Sequence, residues 1–139
     1  MYKTILVTLD ATATDRAIVE HVKKLAKFMK SRVVLLHVAT SAVAQWHGPN
    51  AADEAVEEGQ TYLDEMKAEF EALGIRATTE LAYGRPPAKQ IVKWVQENGC
   101  DLVAMSTHGH RLLGDLFLGA TACEVRHCLN VPVLLLKAT

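Results

Sequence analysis

Cysteine is scarce: Cys100, Cys123 and Cys128 are the only three in 139 residues, and none forms a C-x-x-C pair. An odd, unpaired set argues against a disulfide framework and suits free thiols in a reducing compartment. Runs of Lys or Arg are missing too, and the formal net charge is only -1. A dedicated nucleic-acid or anionic-membrane binder usually carries a basic surface, so neither partner is expected. No apolar stretch approaches the ~20 residues that span a bilayer. The opening "MYKTILVTLDA" ends its apolar run at Asp10, short of the core and cleavage site of a signal peptide. The expected location is the cytoplasm.

The common phosphate motifs are absent as well. Gly109 to Gly114 reads G-x-x-x-x-G, but Asp115 and Leu116 follow where a P-loop needs Lys and then Ser or Thr. There is no G-x-G-x-x-G.

What is present is a change of apolar rhythm, repeated five times. The segments 4–9, 32–38, 77–82, 101–106 and 131–136 are short and mostly aliphatic or β-branched, and four are near-continuous apolar runs. That is the mark of strands buried on both faces. The third alternates and contains Glu80, so it belongs nearer an edge. Between them the spacing turns helical. Ile18, Val22, Leu25 and Met29 line a helix over about 13–30. Val56, Leu63, Met66, Phe70 and Leu73 line a second, stopped by Gly74. Ile91, Val92 and Val95 mark a third, opened by Pro86 and Pro87 and closed near Asn98-Gly99. A fourth is expected over about 114–128. Strand and helix alternate, so right-handed crossovers predict one α/β domain over 1–139, a single five-stranded parallel sheet with helices on both faces.

In such a sheet the ligand crevice lies at the carboxyl ends of the strands, at the point where strand order reverses. Asp10 stands at the tip of the first strand, with Thr12 or Thr14 able to cap the helix that follows. The second strand enters a long loop, Ala39 to Asn50, whose Trp46 suits a lid, a partner contact or an anchor. The fourth ends in "MSTHG".

Simpler roles are open to most of these residues. Asp10 could cap a helix or close a turn, and Gly109 and Gly119 could serve a turn and a tight contact. His47, His108, His110 and His127 lack metal-ligand spacing, and no metal site is expected. His21 reads as a surface residue and His37 as a satisfied interior one. Cys123 and Cys128 read as small apolar side chains, and Lys23, Lys24 and Lys27 as a solvated helix face. A receiver domain needs an acidic cluster after the first strand, where this reading finds one Asp. A hydrolase needs a nucleophile with its base. Ser106 and His108 stand two apart without a G-x-S-x-G elbow or a third orienting group, and no catalytic residue is assigned.

Five pieces in order, "YKTILVTLD", "LLHV", "GRPP", "DLVAMSTHG" and "PVLLLK", resemble the universal stress protein family across essentially the whole chain. The resemblance implies a Rossmann-like three-layer sandwich of the adenine-nucleotide alpha-hydrolase type. Nucleotide-binding members of the family carry G-x-x-G, nine residues, then G-[S/T]. Here Ser106 stands at the first glycine, Gly109 at the second and Gly119 at the third, while Ala120 stands where the hydroxyl residue belongs. Thr8 and Leu9 replace the Pro-Thr often found before the Asp.

By the same resemblance, Asp10 matches the acidic residue near the ribose or a phosphate-bound metal. Val38 matches the residue whose backbone meets adenine, and His108 a frequent loop histidine. The loop Ser106 to Gly109 and the turn Gly119, Ala120 and Thr121 would hold phosphates through backbone N–H groups, Thr121 offering a hydroxyl one residue late. The implied ligand is an adenine nucleotide, ATP or AMP, with magnesium as its candidate companion. The implied role is regulatory or protective, with at most slow ATP hydrolysis, in a homodimer paired through the C-terminal strand. The alternative is a nucleotide-free member of the family working through protein contacts.

Overall fold

Apolar runs without alternation need cover on both sides, and the computed structural model provides it. It describes residues 1–39, 49–84, 86–107 and 124–138. The elements are β1 (Thr4–Leu9), α1 (Asp15–Met29), β2 (Arg32–Ala39), α2 (Pro49–Glu71), β3 (Ala77–Tyr83), α3 (Pro87–Asn98), β4 (Leu102–Thr107) and β5 (Val133–Lys137). Residues 124–128 are also helical, which is the described part of the fourth expected helix.

The five strands form one sheet in the order β3-β2-β1-β4-β5, and every neighbouring pair is parallel. Successive strand residues point to opposite faces, so two cores result. Ile5, Val7, Leu9, Val33 and Leu35 pack under α1 and α2, meeting Ile18, Val22, Leu63, Met66 and Phe70. Leu6, Val34, Leu36, Val38, Val103 and Met105 pack on the other face with Ala88, Ile91, Val95 and Val125. The result is the expected three-layer α/β sandwich. β3, with its exposed Glu80, is an edge strand, as its alternation predicts.

Several details depart from the sequence reading. The face of α2 ends at Phe70, because the helix stops at Glu71 and the chain reverses at Gly74, whose φ of 78° is left-handed. Ile75 then occupies the buried place and Leu73 is left exposed. The second helix begins at Pro49, so Pro49 and Asn50 belong to α2 and not to the preceding loop. Trp46 and His47 lie outside the described residues. Cys128 is exposed, because Val125 takes the buried position of residues 124–128. Cys123 lies outside the described residues.

Lys23 is not solvated either. Its side chain is 12% exposed and its Nζ lies 2.8 Å from Glu20 and 2.7 Å from Glu69. Arg16 adds two bonds to Glu69 at 2.7 and 3.2 Å, so Glu69 on α2 receives two cations from α1. The Arg16 hydrogen bonds, followed by that of Lys23, hold the Glu69 carboxyl down at about 2.

Candidate functional site

The strand order reverses at β1, which sends its connection through α1 to β2 on one side and receives β4 on the other. β1 and β2 stay paired to Leu9↔His37, and β4 and β5 to Thr107↔Lys137. The β1–β4 pairing stops earlier, at Val7↔Ala104. The sheet therefore parts between β1 and β4 at its carboxyl end, the place where open α/β sheets take their ligands.

Three of the residues singled out from the sequence meet around this opening. Asp10 is the first residue beyond β1. Val38 follows directly on the last β1–β2 pair, so it stands where Asp10 leaves the sheet, with its side chain 9% exposed in the second core. Ser106, two residues past the last β1–β4 pair, donates from Oγ to the Thr14 carbonyl at 3.0 Å. That bond spans the opening and ties β4 to the turn after β1. His108, Gly109, Gly119, Ala120 and Thr121 lie outside the described residues, as does His110.

The turn itself is built around carboxylates. Asp10 Oδ1 accepts from the Thr12 amide at 3.0 Å and the Thr12 hydroxyl at 2.6 Å, with Thr14 Oγ1 at 3.4 Å. Neither threonine hydroxyl caps α1, contrary to the sequence expectation. Thr14 holds the cap position without a side-chain cap bond, because both hydroxyls are turned toward Asp10. The Asp15 and Arg16 amides are instead satisfied by the carbonyls of Thr12 and Ala13, at 3.1 and 3.2 Å.

The residue that organises the turn went unnoticed in the sequence. Asp15 is 2% exposed. Its Oδ1 accepts the Asp10 amide at 3.0 Å, and its Oδ2 accepts the Ala11 amide at 2.9 Å and the Tyr62 hydroxyl at 2.6 Å. Ala11 is held at φ 63°, a left-handed conformation costing a non-glycine residue roughly 1–2 kcal/mol. The two amide bonds oppose that cost. Burial first, and the Asp10 charge second, push the Asp15 carboxyl up to about 7, against the hydrogen bonds from Tyr62 and the Asp10 amide. Burial and the Asp15 hydrogen bond push the Tyr62 phenol up, so it stays a donor at neutral pH. One signal was available: 15, 18 and 22 share the i, i+3, i+7 stripe that carries Ile18 and Val22 inward.

His37 fits the interior reading. It is buried, and its Nδ1–H donates to the Leu9 carbonyl at 2.8 Å. Among the described residues no group of three or more His, Cys, Asp or Glu side chains is placed to hold a metal ion. Among them, too, no helix is long and apolar enough to cross a membrane. What this geometry offers a ligand is an oriented carboxylate, at the point where β1 and β4 part.

Comparison with known proteins agrees with the fold. The universal stress protein MJ0577 of Methanocaldococcus jannaschii is 28% identical over 156 residues, covering 99% of this chain and 96% of that protein. The solved structure of MJ0577 superposes with a TM-score of 0.83 at 29% identity, over 100% of this chain and 98% of that one. A universal stress protein from Archaeoglobus fulgidus, solved in complex with dAMP, shares the fold with a TM-score of 0.72 at 17% identity, each chain covered to 98%. The universal stress protein family model matches residues 1–137, and the chain belongs to that family.

Proposed function

We propose that this chain binds an adenine nucleotide where β1 and β4 part, and that it acts as a regulatory or protective module in stress response. The observation that carries the reading is the parting of β1 from β4 beyond Val7↔Ala104, with Asp10 oriented at its rim. The dAMP complex of the Archaeoglobus fulgidus relative supports the choice of an adenine nucleotide.

In this reading Asp10 accepts from the ribose hydroxyls, and the backbone at Val38 meets the adenine. Ser106 to Gly109, including His108, and the turn Gly119, Ala120 and Thr121 hold the phosphates, chiefly through N–H groups. Magnesium fits as a companion of those phosphates. It takes one or two carboxylates and keeps several waters, and Asp10 is a carboxylate of that kind. No catalytic residue is assigned, and turnover is at most slow hydrolysis of the bound nucleotide. The protein works in the cytoplasm as one domain over 1–139 and as a homodimer. The dimer pairs β5 with its symmetry mate, because β5 is an edge strand whose Leu135 is 38% exposed.

A second reading, of a nucleotide-free member acting through protein contacts, is favoured by Ser106. It carries a side chain at a motif glycine, and that side chain is committed to the Thr14 carbonyl. Mass spectrometry of small molecules released from the purified, denatured protein, followed by calorimetric titration with ATP and magnesium, separates the two. Recovery of an adenine nucleotide and saturable binding are expected. Absence of both gives the second reading the lead.

A further inference from the structure

The Asp10 carboxylate owes its direction to a turn that does not hold itself. The turn contains no glycine, its Ala11 sits at φ 63°, and its two leading amides end on one carboxylate, that of Asp15. A third donor to that carboxylate comes from another element: Tyr62, on α2, 47 residues further along the chain. Asp15 therefore joins the rim of the crevice to the helix that follows the long loop. We propose that Asp15 and Tyr62 are a positioning pair for the nucleotide site, Asp15 fixing the turn that aims Asp10 and Tyr62 locking Asp15 in its amide-accepting state. This rests on the adenine-nucleotide reading and adds to it the residues that set the affinity.

The chemistry follows from the donors. An ionised Asp15 is an acceptor only, which suits two N–H groups and one phenol. Deleting the Tyr62 hydroxyl leaves the Asp15 carboxylate held by the two turn amides alone, so the turn that aims Asp10 loses its tie to α2. Among the described residues, Glu54, Glu57, Glu58 and Glu65 of α2 line a pocket together with Tyr62. Asp10 lies on the turn, and Arg16, on α1, is paired with Glu69 of α2. His37, on β2, is bonded to the Leu9 carbonyl, and Ser106 at the end of β4 is uncharged.

The test uses wild type, Tyr62→Phe, Asp15→Asn and, as a control, Tyr83→Phe, which alters an exposed phenol on β3. Circular dichroism checks that each is folded. Two-dimensional amide NMR reads the Asp10 and Ala11 resonances without ligand, and calorimetry measures adenosine and ATP binding at neutral pH. Adenosine is included because it carries no phosphates and needs no metal companion. The two amide resonances should shift in Tyr62→Phe and Asp15→Asn and stay put in Tyr83→Phe. Tyr62→Phe should lose about tenfold in affinity for adenosine and ATP alike, as partners that orient a binding group typically do, and the control should lose nothing. Unmoved Asp10 and Ala11 amides in Tyr62→Phe, or a Tyr62→Phe variant with the wild-type affinity, would overturn the proposal. Shifted amides in a protein whose wild type binds neither adenosine nor ATP would instead remove the nucleotide reading, and the positioning role with it.

Discussion

Gly59 lies in the middle of α2, a position where alanine ought to be an improvement. Helix propensity alone favours Gly→Ala by about 1 kcal/mol. The neighbours reverse that expectation. A Cβ at Gly59 would lie 2.9 Å from His37 Cδ2 and 3.2 Å from Leu81 Cδ1. Leu81 is half-buried near the sheet edge and can rotate. The His37 ring is held, because its Nδ1 is 2.8 Å from the Leu9 carbonyl. Moving it costs the usual overpacking strain of about 1–3 kcal/mol and weakens a buried hydrogen bond worth about 1 kcal/mol. The net expectation for Gly59→Ala is a loss of about 1–3 kcal/mol after the propensity gain, and a lower Tm by several degrees. Urea unfolding followed by circular dichroism measures this directly, and a double-mutant cycle with His37→Ala isolates the cause. With the ring removed, Gly59→Ala should become stabilising by roughly 0.5–1 kcal/mol. A stabilising Gly59→Ala in the wild-type background would refute the argument, since it would mean that the ring yields at no cost.

The raised carboxyl of Asp15 has a defined signature in pH. The folded state holds this proton up to about 7 while the unfolded chain releases it near 3.8, so the contribution is fully present below about 4 and declines as pH rises toward 7. The slope is at most about 1.4 kcal/mol per pH unit, and urea midpoints at about pH 5 and about pH 7.5 should show it in wild type but not in Asp15→Asn. Leu135→Lys should weaken self-association, read by sedimentation, because it puts charge on the exposed apolar edge of β5; a wild type that is monomeric at tens of micromolar contradicts the premise. Ala120→Ser should tighten ATP binding about tenfold or more, since a hydrogen bond to a charged phosphate is worth about 1.5–3 kcal/mol. Gly109→Val should weaken it. Calorimetry showing neither change would mean that the phosphates lie elsewhere.

The parts of the fold legible in the sequence are those set by apolar rhythm. β1 begins and ends where its run does, and the other strands differ by a residue or two. Gly74 and the Pro86-Pro87 pair marked real boundaries, because their backbone preferences act locally. What escaped depends on tertiary neighbours. Lys23 looks solvated until Glu69 of α2 is placed beside it. Leu73 continues the helical spacing, but Ile75 has the buried place once the chain turns. Asp10 stood out as a strand-tip acid, whereas the sequence reading did not single out Asp15. Its importance lies in a phenol on another helix and in the backbone of the turn before it, which no local pattern encodes.

The position of β1 also has a consequence in time. The strand lies between β2 and β4, so Ile5 pairs with Val33, 28 residues on, and with Leu102, 97 residues on. During synthesis, β1, α1, β2, α2 and β3 are all complete before the second partner of β1 exists. At about 5–20 residues per second, 97 residues take roughly 5–20 s. For that interval one side of β1, with the apolar Ile5, Leu6 and Val7, is an open edge able to pair with another nascent chain. Slower translation lengthens the interval and crowded polysomes supply the competing edges, so the yield of native protein is expected to depend on how fast residues 84 to 107 follow the first half.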